Sequence, residues 1–189
     1  SAFQDLRNAA VSSGVLSNGP DLCTAARQRG VPIIHAMAIN RKDYRGSVTN
    51  CRMLSASKDM HERGSGIIEG TKGAELVDVF GPEPEDISIP RLHGLTPFTS
   101  NSIDQTIRNL GASTIIPIGV SINIGILGLV LSAVDLGYQV VIPTDAVAGV
   151  PLEYGEKVLQ GTLSLLSTLT TTQEIISVSY THLTLPTNR

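Results

Sequence analysis

The residues able to do chemistry in this chain are few, and their surroundings narrow what each can do. Cys23 and Cys51 stand alone, without the short spacing of a metal site or a redox pair. His35 lies within an apolar run and reads as a hydrogen-bonded core residue, while His61 and His182 have no partner pattern. His93 sits in Arg91-Leu92-His93-Gly94, a loop where an imidazole titrates near neutral pH. The loop from Ile39 to Asn50 collects Arg, Lys, Asp, Gly and Ser, and its Asn40, Arg41 and Arg45 can meet a ligand. The most suggestive stretch has no reactive side chain. Gly119-Val120-Ser121-Ile122-Asn123-Ile124-Gly125 joins a β-branched run to an apolar helical pattern. A helix opening after a strand offers unpaired N–H groups and the positive end of its dipole. The turn at Asn123, with the amides of Ile124 and Gly125, can therefore hold a carboxylate. A plainer reading of Gly125 is close packing or a special backbone angle in a tight turn.

Periodicity supplies the elements that must position that turn. Thr114 to Ile118 is a short β-branched run, as in a strand buried on both faces. Ile124 to Leu136 repeats apolar residues at helical spacing and stops at Gly137, and Gln139 to Pro143 is a second buried strand. Strand, helix and strand form a right-handed βαβ unit, whose chemistry belongs at the carboxyl end of the first strand. Upstream, helices are expected over Ser1–Gly14, Val15–Gly30, Cys51–Met60 and Thr99–Leu110, the last capped by Thr99 or Ser100. Strands are expected over Val31–Met37 and Asp86–Pro90. Asp145 reads as the cap of the segment that follows it, and Leu152–Leu169 as a final helix. The alternation predicts an α/β fold, a three-layer sandwich with a mostly parallel central sheet. Residues 1–176 read as one domain. Residues 177–189, rich in Thr and Ser and without a helical period, read as a foreign tail.

Composition narrows the classes. The chain has 189 residues, 41% apolar and 16% charged, which fits a globular domain rather than a disordered one. A net charge of −3 without a basic run gives no case for nucleic acid. No segment approaches the ~20 uninterrupted apolar residues of a membrane span, and isolated cysteines suit a reducing, cytoplasmic setting. No Gly-x-Gly-x-x-Gly follows a strand and no Walker loop is present, so no nucleotide cofactor is expected.

The Gly119–Gly125 turn, the run from Leu136 to Ala146 and the Thr96-Pro97-Phe98 segment together resemble the isochorismatase-like hydrolase superfamily, the cysteine hydrolases that include nicotinamidases. The likeness covers most of residues 22–172. It implies a nucleophilic Cys at the position of Gly125, a supporting Lys near Arg91, and a catalytic Asp closing a first strand. The sequence departs at each point. Gly125 carries no nucleophile, neither Cys23 nor Cys51 is placed to replace it, and thiol-based amide hydrolysis is not expected. Arg91 lies five residues before Thr96, where the family sets its Lys four before the equivalent segment, and Arg stabilises an anion without shuttling protons. No apolar strand ending in Asp precedes the first helix, and Asp5 lies inside a helical pattern, so the domain is expected to begin downstream of that strand. In the family that strand is central, between those expected at Val31–Met37 and Thr114–Ile118. Without it the two either close up or leave unpaired backbone groups, each costing roughly 1–3 kcal/mol if buried, and the chain is expected to be marginally stable.

True isochorismatases resemble this chain in having Gly at that position. They cleave a vinyl ether: the Asp protonates the vinyl carbon and water adds to the oxocarbenium ion. The implied function is hydrolysis of a small, anionic organic substrate without cofactor or metal, since the Asp-x-His loop of zinc-bearing nicotinamidases is missing from residues 37–45. Arg91, His93 and Gly125 are the candidate catalytic positions, and Asn40, Arg41, Phe98, Asn123 and Ile124 the candidate substrate-binding ones. The competing expectation is a non-catalytic homologue, serving as a ligand-binding or structural oligomer. The family also implies a homo-oligomer.

Overall fold

The computed structural model describes residues 2–92, 94–99 and 101–183, and for 2, 3 and 179–183 the backbone alone. Helices α1 (Ala2–Ser12) and α2 (Val15–Gln28) meet at Gly14, whose φ of 81° suits glycine. Strand β1 (Ile34–Ala38) runs parallel to β2 (Ile87–Arg91), in register from Ile34 opposite Ile87 to Ala38 opposite Arg91. Helix α3 (Arg52–Glu62) lies in the connection between them. Helix α4 (Ile103–Asn109) begins later than expected, with Ser102 at its N-cap position and the Asn101 side-chain oxygen accepting the Ile103 N–H at 2.9 Å.

A second parallel set has the order β3 (Thr114–Ile115), β5 (Gln139–Pro143) and β7 (Thr168–Thr170). Beside it β4 (Gly119–Val120) pairs with β6 (Val147–Ala148). A wide π-helical turn, Ile122–Ile126, leads from β4 into α5 (Leu127–Asp135). The chain closes with α6 (Leu152–Gly161) and α7 (Thr172–Leu183). Val130, Ala133, Ile142, Leu159 and Leu163 are at most 1% exposed, so α5, α6 and β5 hold the centre of the core. Burying each of the larger side chains contributes roughly 1.5–3 kcal/mol. A smaller cluster of Ala9, Ala10, Val15 and Ala148 ties α1 and α2 to β6. The fold is α/β, with parallel strands and helices packed around them.

Four expectations are corrected. The strand over Thr114–Ile118 is broken into β3 and β4, with 116–118 in no ladder; Pro117 offers no N–H. The helix over Leu152–Leu169 stops at Gly161, a short 3₁₀ turn follows at Leu163–Leu165, and β7 takes the rest. The segment 177–183 is helical, as the end of α7, and 184–189 lie outside the described residues. The α7 start is a reciprocal cap. The Thr171 hydroxyl accepts the Glu174 N–H at 3.2 Å, and the Glu174 carboxylate accepts the Thr171 N–H at 3.0 Å. Asp145 does not cap the segment that follows it but reaches the start of α7, accepting the Thr172 N–H at 2.8 Å and hydroxyl at 2.9 Å.

Among the described residues the two halves of the sheet do not join. β1 pairs with β2 and β3 with β5, and a cavity of about 500 Å³ lies between β1 and β3. The strands flanking this gap have not closed up. Among the described residues no helix is long and apolar enough to cross a membrane.

Candidate functional site

The strands converge on the cavity's carboxyl end. β2 delivers Arg91 there, β4 ends at Val120, and the π turn that follows brings Gly125 and Ile126 to the same wall. Phe98 forms another part of the lining, its ring 6.1 Å from that of Tyr138. The segment carrying it is seated on α5: the Thr96 hydroxyl lies 3.2 Å from that of Ser132, and Thr96 fills the space beside Gly128.

Gly125 is not required by its backbone. Its φ lies outside the left-handed region, and a Cβ built on it would meet one neighbour, the Val120 carbonyl oxygen at 3.9 Å. A side chain at 125 would therefore enter open cavity, which removes both close packing and backbone geometry as reasons for glycine. The π turn also rearranges the amides above it. The Ile126 N–H donates to the Ser121 carbonyl at 2.9 Å, and the Ile124 N–H to the same oxygen at 3.3 Å. The Ile124 amide is thus already engaged. Such widened turns recur at functional sites because they reposition main-chain groups.

Arg91 supplies the charge. One terminal nitrogen donates to the Gly94 carbonyl at 2.6 Å, while its buried Nε has no hydrogen-bond partner among the described residues. Among the described residues no carboxylate lies within ion-pair distance of it. Burial pulls its pKa below the ordinary 12.5, and no acid counters the shift. A desolvated cation with an unused donor beside a cavity is an anion-binding arrangement.

The other candidates fall elsewhere. Asn40 is buried, its amide nitrogen donating to the Ser47 hydroxyl at 3.3 Å and its backbone bridging to Ile68, so it anchors the 39–50 loop. Arg41 is exposed and paired with Asp43 at 3.0 Å. Asn123 is committed to Val150, donating to its carbonyl at 3.1 Å and accepting its N–H at 3.3 Å. None of the three lines the cavity. His93 lies outside the described residues.

Behind His35, which lines the cavity, stands a charged group that sequence reasoning missed. Asp86, 2% exposed at its side chain, accepts from Arg27 at 2.6 Å and lies 2.8 Å from His35 Nε2. The Arg27 guanidinium, then the His35 contact, hold its pKa well below the usual 3.8 despite burial. Its place just before an apolar strand, in a Pro-Glu-Asp turn, was the available signal. Cys23 is buried nearby, and burial raises its thiol pKa, which opposes the nucleophilic thiolate. Among the described residues no cluster of three or more His, Cys, Asp or Glu is arranged to hold a metal.

Comparison with known proteins places this geometry in context. Residues 4–174 match the family model described as Isochorismatase domain. Ureidoacrylate amidohydrolase RutB of Pseudomonas syringae pv. syringae (strain B728a) is 28% identical over 155 residues, covering 76% of this chain and 62% of that protein. RutB of Agrobacterium fabrum (strain C58) is 28% identical over 144 residues, covering 71% and 62%. The chain thus spans about three-fifths of the length of these curated relatives. Among solved structures, a cysteine hydrolase from Pseudomonas syringae pv. phaseolicola 1448A superposes with a TM-score of 0.78 at 20% identity, covering 89% of this chain and 81% of that one. An isochorismatase family protein from Desulfovibrio vulgaris gives 0.77 at 22% identity, covering 87% and 84%. These structural likenesses carry the fold.

Proposed function

Since the chain belongs to the isochorismatase family, we propose that it is a hydrolase acting on a small anionic organic molecule without a cysteine nucleophile. The observation that carries this is the pairing of Gly125 with Arg91: a position with open space in place of a side chain, and an unpaired cation lining the same cavity. Arg91 holds the substrate carboxylate, Phe98 and Ile126 bound its apolar body, and the space at Gly125 admits a bulkier ligand than a thiol would allow. His93 and the main chain at Gly125 complete the proposed catalytic set. Asn123 and Ile124 shape the turn, while Asn40 anchors the 39–50 loop and Arg41, paired with Asp43, stays outside the cavity. Both cysteines are free, which supports a cytoplasmic setting. Exposed apolar side chains at Leu152, Tyr154 and Leu165 offer surface to a homo-oligomer.

A second reading, a ligand-binding or structural homologue without catalysis, draws on one observation. Vinyl-ether cleavage needs a proton delivered to carbon before water adds, and the described residues lining the cavity include no Asp or Glu.

The discriminating experiment is a turnover screen of wild type and Gly125→Cys against isochorismate, ureidoacrylate and simple amides. Vinyl-ether cleavage by wild type, with amides untouched, supports the thiol-free hydrolase. Amide cleavage by wild type as fast as by Gly125→Cys refutes it. No cleavage of any compound favours the binding homologue.

A further inference from the structure

We propose that Ser47 is a positioning residue for Arg91: its hydroxyl, aimed by the buried Asn40 amide, holds the turn that keeps the Arg91 guanidinium at the cavity wall. The inference deepens the anion-site reading of Arg91, and its ligand arm rests on that reading. An arginine side chain has many rotamers, and a desolvated guanidinium gains by swinging out toward water. What restrains this one is local. A terminal nitrogen donates to the Gly94 carbonyl at 2.6 Å, three residues further along the chain. The guanidinium is therefore only as fixed as the turn from Arg91 to Gly94.

That turn is tied down at two carbonyls. The Arg91 carbonyl accepts the Ile39 N–H at 3.0 Å, and the Leu92 carbonyl accepts the Ser47 hydroxyl at 3.1 Å. A serine hydroxyl has one proton and a carbonyl can only accept, so the Ser47 proton goes to Leu92. Ser47 Oγ must then accept from Asn40, whose amide nitrogen lies 3.3 Å away. Asn40 is itself held on every side. It is 7% exposed; its N–H donates to the Ile67 carbonyl at 2.7 Å and its carbonyl accepts the Glu69 N–H at 2.8 Å. Its side-chain oxygen accepts the Ser57 hydroxyl of α3 at 3.5 Å, which fixes the amide with its nitrogen toward Ser47. The relay from Asn40 through Ser47 to Leu92 thus carries the rigidity of this buried junction to the turn that bears Arg91. Neither Asn40 nor Ser47 lines the cavity, so both act through Arg91 and not on the ligand.

The test follows the arginine Nε–H groups of the 189-residue chain by nuclear magnetic resonance, the Arg91 signal being assigned by its loss in Arg91→Gln. Ser47→Ala is expected to speed exchange of the Arg91 Nε–H with water by about tenfold. Ser47→Thr, which keeps the hydroxyl, is expected to stay within about twofold of wild type. Asn40→Asp, whose carboxylate would draw the Ser47 proton away from Leu92, is expected to match Ser47→Ala. Isochorismate titration supplies the second readout: Ser47→Ala should weaken binding about tenfold in the wild-type background and add no loss in Arg91→Gln. Unchanged Nε–H exchange in Ser47→Ala overturns the proposal, as does Ser47→Thr behaving like Ser47→Ala. So does an isochorismate loss that persists in the Arg91→Gln background, because Ser47 then acts elsewhere. Absence of isochorismate binding to wild type would refute the anion site alone, and the Nε–H comparison would still decide whether Ser47 positions Arg91.

Discussion

At the scale of single residues, the proposed site rests on two opposite departures from the ordinary. Gly125 gives up a side chain where one would fit, and Arg91 keeps a cation where burial opposes it. Gly125→Cys is expected to change stability by no more than about 0.5 kcal/mol, because the new side chain meets open space; its thiol should react readily with a small alkylating reagent. Gly149→Ala is the contrast. Its Cβ would sit 2.9 Å from the Gly155 Cα and 3.0 Å from the Asn123 side-chain oxygen, and chemical denaturation should show a loss of about 1–3 kcal/mol. Arg91→Met should leave stability unchanged or raise it by about 1 kcal/mol, since it removes a desolvated charge with no acidic partner. A large loss on Arg91→Met would mean that the residue is structural.

At the scale of elements, the β1–β2 ribbon is held to α2 by Asp86. Removing one partner of a buried ion pair strands the others, so Asp86→Asn is expected to cost about 3 kcal/mol. The sign of the pH dependence follows from the depressed carboxyl. Asp86 contributes its stabilisation fully above the unfolded value of 3.8 and loses it as pH falls further toward its folded value. Melting temperature should fall more steeply below pH 3.8 in wild type than in Asp86→Asn; parallel acid limbs would show that the network adds nothing. The elements also mark what the sequence could and could not reveal. The Ile124–Leu136 helix and the Gln139–Pro143 strand were legible because their apolar periods are long and glycine-bounded. β7 was not: Thr168–Thr170 is half-exposed and polar, and it directly follows an apolar run at helical spacing. The α7 start was legible in principle, through the Thr171-x-x-Glu174 capping pattern, but its Ser/Thr composition hid the helix. Gly125 and Phe98, which line the cavity, were singled out through the family turn and the Thr-Pro-Phe segment. The commitments of Asn40 and Asn123 to Ser47 and Val150 were invisible, because such partners are fixed by tertiary contacts rather than by spacing.

At the scale of the whole molecule, the gap between the two half-sheets decides both stability and access. Unpaired strand edges of this kind oppose folding, so the 189-residue chain is expected to melt at low temperature with a broad transition; a sharp, high transition would contradict that. The same gap opens the cavity that Gly125 and Arg91 both line, and the account rests on that cavity holding an anion at Arg91. Isothermal titration of isochorismate into wild type and Arg91→Gln tests this most directly. Binding by wild type, weakened about tenfold or more in the variant, is the result predicted. Equal affinity in the two proteins, or no binding to wild type, contradicts it.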